Sequence, residues 1–259
     1  MNTHNEALEV ALQRAEEIHA QGFPQVAAMT LRTALAPFDL ATACVDRRVI
    51  QAAVLYAEGM ADVPHEQLAY ARFAERNSCI ARSATDPVTL HAAAALVAIA
   101  GRQGLRSEAI TACGHLIEAH HTRGERSDAL IWQRERSSLL HADGRCGKAL
   151  AELADCLAYA TGLAGDDRTV YGRGALLQYA VLLAGCGDTL AASTMLHRHE
   201  SLLAPPGSMD RAVDEANVTA EIRDVLMTHH AVCTHPQWGA QSVTPIVFPS
   251  PAPGRQDRP

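Results

Sequence analysis

Residues Gly22–Pro37 read GFPQVAAMTLRTALAP. A glycine and a proline bracket the stretch, and between them Ala27, Leu31 and Ala34 stand at i, i+4 and i+7, one face of a helix. The small Ala27 lets a neighbouring helix approach closely, the larger Leu31 fills the space between helices, and Pro37 stops the segment. The pattern recurs. Gly104, Gly144 and Gly187 are each followed five residues later by an alanine: Ala109, Ala149 and Ala192. In the second unit the glycine is displaced to Gly59 and the alanine is read as Ala69. Four residues after each alanine come Leu31, Phe73, Cys113, Leu153 and Leu196, and three further on Ala34, Arg76, Leu116, Cys156 and His199. The alanine ladder repeats at about 41 residues, and a fixed period of that size marks stacked supersecondary units.

Upstream of each glycine lies another helical pattern. Ala11, Ala15 and Ile18 mark the first. Leu90–Gly101 is apolar on nearly every side, as a helix buried between neighbours should be. In the fourth unit Leu130, Ile131, Leu139 and Leu140 are interrupted by Arg134 and Arg136, and Arg173–Ala184 carries Leu176, Tyr179, Ala180 and Leu183 on one face. Thr85-Asp86-Pro87, Ser127-Asp128 and Asp188 or Thr189 supply N-cap chemistry, and Asp166-Asp167 suits a helix N-terminus. Gly172-Arg173-Gly174 reads as a loop or cap. A last helix over about Met209–His229, polar on one side through Asp210, Asp214, Glu215, Glu221, Arg223 and Asp224, is expected to cap the array. Residues 1–230 thus form one domain. Residues 231–259 have six prolines and no helical period, and are expected to be extended or disordered. Within them Val243, Ile246, Val247 and Phe248, bracketed by Pro245 and Pro249, make an apolar segment that could fold back into the groove or along the last helix, with Trp238 as an anchor.

Composition agrees with helices. Hydrophobic residues make up 48% of the 259, but aromatics only 4%. Alanine and leucine carry the apolar mass and favour helices over sheets. The net charge of −7, with 22 basic residues dispersed among 29 acidic ones, offers no basic stripe for nucleic acid. The start MNTHNEALEV is not a signal peptide, and the longest apolar run, Val88–Ala100, is too short to span a bilayer, so a cytoplasmic protein without membrane contact is expected. The seven cysteines form no CxxC pair and read mostly as small packing residues. The histidine-dense places, His120-His121, His197-x-His199 and His229-His230, lack ligand spacing. His230, Cys233 and His235 could meet only through a bend at Pro236, so no metal is expected. The chain has no HExxH, P-loop, GxSxG or GxGxxG before a helix; no catalytic residue is assigned and no cofactor expected.

The small–large–small order and the closing proline resemble the tetratricopeptide repeat (TPR), most closely in unit 1 (Gly22, Ala27, Leu31, Ala34, Pro37) and unit 5 (Leu176, Tyr179, Ala180, Leu183, Gly187, Ala192, Leu196). The resemblance covers about residues 5–205. The units are longer than the family's and lack its early tryptophan, like those of regulatory solenoids in bacterial transcription activators and peptide-responsive regulators. It implies an all-α fold, a right-handed α-α superhelix of about five antiparallel helix pairs plus the C-terminal capping helix. It also implies a concave groove lined by the first helix of each pair. Carried onto this chain, the lining is Glu16, His19, Gln51, His91, Arg102, Arg134, Ser138 and His141. Such a groove would grip a protein or peptide partner, with Arg134 on a carboxylate and the histidines as switchable donors. An adaptor or sensor in a bacterial regulatory or biosynthetic system is the function implied, with homodimer formation left open. The alternative is an enzyme or small-molecule binder on a helical scaffold, with His91 and Tyr179 at its pocket.

Overall fold

The computed structural model describes residues 3–229, Cys233 and 246–249. Their regular structure is helical: eleven α-helices, one short 3-10 turn and no strand among the described residues. The chain divides into two compact units, Met1–Ala129 and Leu130–Pro259. The first holds α1 (Thr3–Ala20), α2 (Pro24–Leu35), α3 (Arg47–Gly59), α4 (Pro64–Ala81), α5 (Pro87–Arg102) and α6 (Arg106–Arg123). The second holds most of α7 (Arg126–Ala142), then α8 (Cys146–Thr161), α9 (Gly165–Gly185), α10 (Thr189–Arg198), the 3-10 turn Glu200–Leu202 and α11 (Met209–His229).

The predicted turn glycines have one structural cause. Gly22, Gly104, Gly144 and Gly187 all have φ between 74° and 86°, the left-handed region that disfavours a side chain. The residue after each donates its N–H five residues back: Phe23 to Ile18, Leu105 to Ala100, Arg145 to Leu140 and Asp188 to Leu183, at 2.9–3.2 Å. That bond closes the outgoing helix in a Schellman turn. The same residue's carbonyl accepts from the amide four residues on in the next helix, as in Ala27 to Phe23 and Ala149 to Arg145. One residue therefore ends one helix and begins the next, so a link of minimal length makes each hairpin.

The ladder is confirmed at Ala27, Ala109, Ala149 and Ala192, all fully buried, and corrected in unit 2. There the amide equivalent to Ala27 belongs to Gln67, which donates to Val63 as Ala27 does to Phe23. Gln67, Ala71 and Ala74 are the buried i, i+4, i+7 set, while Ala69 is half-buried and Arg76 exposed. A long polar side chain occupies the small-residue site because its amide nitrogen donates to the Ala57 carbonyl at 2.9 Å, satisfying a group at the end of α3. Gly59 is no turn glycine. It lies buried at the end of α3, where the backbone of α2 comes against it.

In the first compact unit consecutive helices pack on one another, α1 also meets α3 and α3 also meets α5, so the first helices of the pairs share one side. The apolar α5 is buried by this arrangement through Val88, Ala92, Leu96, Ile99 and Ala100. Asp86 caps it by accepting from the Val88 amide at 2.9 Å, and Asp188 caps α10 through the Ala191 amide. Ser127 and Asp128 fall inside α7, whose first turn instead hangs from the Glu125 carbonyl.

In the second unit α9 packs against α8, α10 and α11. Gly172-Arg173-Gly174 is not a loop but the interior of α9, which starts at Gly165 with Asp166 and Asp167 in its first turn. The two glycines give room to neighbours: Leu202 meets the backbone at Gly172 and the Arg134 guanidinium lies over Gly174. Arg173 makes a two-pronged ion pair with Asp214 of α11 at 2.7 and 2.8 Å. Asp214 is 7% exposed, so it belongs to the packed face of α11 rather than its solvent face. Among the described residues no helix is long and apolar enough to cross a membrane.

Candidate partner-binding site

The predicted groove residues fall into two sets, one in each unit. In the first unit the shared face of α1, α3 and α5 carries a polar ladder. The Gln51 amide donates to Glu16, joining α3 to α1. Glu58, near the end of α3, stands between two imidazoles: His19 Nε2 at 3.2 Å on one carboxylate oxygen and His91 Nε2 at 2.8 Å on the other. His19 and His91 are thereby brought together, Gln51 joins Glu16 on the same face, and Glu58, which bridges the two histidines, was missed in the sequence. Its only sequence signal is a charged residue one position before Gly59, closing the apolar run from Ala52 to Ala57. Arg102, also predicted for the groove, is exposed at the end of α5 and joins no part of this ladder.

The hydrogen bond that His91 donates to the Glu58 carboxylate raises the His91 imidazole above its usual value of 6.5, with burial opposing. Because the folded-state value is raised, the His91–Glu58 contribution to stability is full below 6.5 and fades as pH rises through the folded value. The His91 side chain is 43% exposed, so solvent screens the pair and the contribution is small. An NMR titration of His91 should give a midpoint above 6.5, and Glu58→Gln should move it down. A wild-type midpoint at or below 6.5 would show that Glu58 does not hold the proton there.

In the second unit Arg134 and Ser138 of α7 join Gln178 of α9. Arg134 Nε donates to the Gln178 side-chain oxygen at 2.9 Å, and the Gln178 amide donates to the Arg134 carbonyl at 2.8 Å and to Ser138 Oγ at 2.6 Å. A cavity of about 460 Å³ opens beside them, lined from α7, α9 and α11. A Cβ at residue 174 would stand 2.5 Å from an Arg134 terminal nitrogen, so Gly174 is what lets the guanidinium lie flat on α9. Burial holds that guanidinium below its usual value, and at any working pH it stays charged. No carboxylate reaches ion-pair distance of it among the described residues, although Glu135, Glu221 and Asp224 line the same cavity. The remaining predicted residue, His141, is corrected: it is 3% exposed, because its face of α7 turns inward and its Nε2 meets Cys186 Sγ at 3.1 Å. His230, His235 and Trp238 lie outside the described residues.

No protein-family profile matches the chain, and no curated protein matches it. Solved structures do. Two crystal structures of nearly identical TPR-like repeats, from a Podosopora anserina protein described as a kinesin light chain, superpose on it. One is 16% identical, over 78% of this chain and 96% of its own, with a TM-score of 0.62. The other is 13% identical, over 87% and 97%, with a TM-score of 0.57. At such identities the likeness is one of fold, and it gives this chain the TPR-like helical-repeat architecture.

Proposed function

We propose that the protein is a peptide-binding scaffold, an adaptor or sensor of a bacterial regulatory or biosynthetic system, and that its partner lies in the cavity lined by α7, α9 and α11. The observation that carries this is Arg134. It is half-buried and oriented by Gln178, and its two terminal nitrogens make no hydrogen bond among the described residues. A guanidinium fixed at one nitrogen and open at two is a ready donor pair for a carboxylate or a backbone carbonyl. Around it Glu135 and Glu221 set a negative rim that suits a partner segment with basic side chains.

Selection of peptides from a random display library against the full chain should enrich sequences with basic residues. Arg134→Ala should then weaken the best binder by about 10-fold or more, the loss of a charge-assisted hydrogen bond. Glu221→Lys should weaken it further. If no sequence is enriched, or both variants bind as the wild type does, the reading fails.

A second reading, a small-molecule binder, is favoured by one observation in the first unit. A cavity of about 390 Å³ lies among α4, α5 and α6, lined mainly by apolar atoms of Ala84, Leu90, Ala93, Leu116 and Ala119. That volume is in the usual range for small-ligand sites. His91 and Tyr179, the pair first considered for such a pocket, belong to different units and do not line it.

A further inference from the structure

Four residues with metal-binding side chains meet at one end of the second unit. His141 is the penultimate residue of α7 and Cys146 the first of α8, on either side of the Asp143-Gly144-Arg145 turn. Cys186 follows the last residue of α9, at the next such turn, and Cys233 lies four residues beyond α11. The ligand atoms of His141, Cys146 and Cys186 all lie within 4.8 Å of one another, and all three residues are buried. Cys233 Sγ is 3.8 Å from Cys146 Sγ, and Cys233 also bears on the Cys186 thiol. Cys233 is half-buried.

We propose that His141 Nε2 and the sulfurs of Cys146, Cys186 and Cys233 form a tetrahedral zinc site. The three buried ligand atoms are close enough to share one centre, and Cys233 joins them through Cys146. Sulfurs about 2.3 Å and a nitrogen about 2.0 Å from a common centre stand about 3.8 Å and about 3.5 Å apart at the tetrahedral angle. The Cys146–Cys233 separation of 3.8 Å already matches, and His141 and Cys186, at 3.1 Å, need only part slightly. Three soft sulfurs and one imidazole select zinc over the oxygen-seeking calcium and magnesium. Burial and the neighbouring sulfurs hold the Cys186 thiol well above its usual range. A divalent cation reverses that preference. On binding, the three thiols release their protons to solvent, His141 ligates as the neutral imidazole, and no electron moves. Four protein ligands leave no open position, so the metal is structural. It ties two interhelical turns to the chain that follows α11.

Space has been made for this junction. A Cβ at Gly185 would run into Val225 of α11 and stand 3.4 Å from His141 Cε1. The absence of a side chain there lets α7, α9 and α11 converge on the cluster. None of the four ligands lines the Arg134 cavity, and the site does not depend on the function proposed for it.

The test uses the full chain, purified under reducing conditions, loaded with zinc and desalted. Elemental analysis should find about one zinc per chain, and cobalt substitution should give the thiolate charge-transfer and tetrahedral d–d bands. Cys186→Ser should lower zinc affinity by more than the roughly 10- to 100-fold that loss of an outer-shell partner brings. Should that variant not fold, Cys233→Ser, at the half-buried ligand, should show the same loss. Cys113→Ser, a buried cysteine of the first unit, should keep the metal. Substoichiometric zinc in the wild type, full zinc in both ligand variants, or a Cys146–Cys233 disulfide in the zinc-treated protein would each overturn the proposal.

Discussion

Gly59→Ala should lower the melting temperature by about 4–8 °C, although alanine is the better helix former. Two effects oppose each other at this position. Replacing a helical glycine by alanine gains about 1 kcal/mol of propensity. But a Cβ at residue 59 would collide with the Pro24 carbonyl oxygen and come within 2.6 Å of Ala28 Cβ. Those atoms belong to the backbone and first side-chain carbon of α2, which cannot swing aside as a long side chain could. Overpacking of this kind costs typically 1–3 kcal/mol, and more where helices must part. A net loss of about 2 kcal/mol corresponds to about 4–8 °C in a chain of this size. Gly22 offers the contrast. Nothing lies within 4 Å of a Cβ there, and its φ of 86° is the only obstacle. Gly22→Asn, which tolerates that backbone, should melt close to wild type, whereas Gly59→Asn should fall further than Gly59→Ala. Thermal unfolding followed by circular dichroism decides, and an unchanged or raised midpoint for Gly59→Ala would mean that α2 and α3 are not held at this distance.

The two glycines also mark the boundary of what sequence pattern can tell. Turn glycines were legible because their role is local: a left-handed residue five positions before an alanine is written in consecutive letters. Gly59, Gly172 and Gly174 carry the same letter for another reason, contact with a residue far along the chain. Gln67 misled for the same cause. At the small-residue position of its helix it looks like a solvated residue, and only its bond to Ala57 explains its burial. The candidate site divides in the same way. His19, Gln51 and His91 followed from helix order and the family resemblance. Glu58, which binds two of them, and Gly174, which seats Arg134, needed distances. His141 lies on α7 where helical periodicity permits either face, and packing against Cys186 chose the inner one. The cysteine–histidine cluster was invisible because its members come from four separate points along the chain, joined only when the hairpins stack.

Arg211→Ala should produce the largest loss in the second unit and free the segment 246–249. The Arg211 side chain is 3% exposed, near the start of α11, and every arm of its guanidinium is in use. Nε donates to Glu215 at 3.0 Å, one terminal nitrogen to the Ala204 carbonyl at 3.5 Å and the other to the Pro249 carbonyl at 3.1 Å. The guanidinium also lies 5.1 Å from the centre of the Phe248 ring. With Val247 N–H donating to Ser193 Oγ at 3.0 Å, these contacts hold the apolar segment along α10 and α11. This is the second of the two places the sequence offered it. Truncation leaves two buried carbonyls without donors, at about 1–3 kcal/mol each, and removes a cation–π contact of about 1 kcal/mol. Glu215 retains solvent, its side chain being 44% exposed, so its charge adds little to the cost. The expected loss is therefore about 3–7 kcal/mol. Arg211→Lys keeps the charge but cannot serve three acceptors from one plane, so it should recover only part of it. Thermolysin should cut between Ile246 and Val247 much faster in the alanine variant than in the wild type, while Ser193→Ala, which removes a single exposed bond, should change the rate only slightly. Equal cleavage in wild type and Arg211→Ala would mean that Arg211 does not hold the segment, and that its burial serves the 202–204 turn and α11 alone.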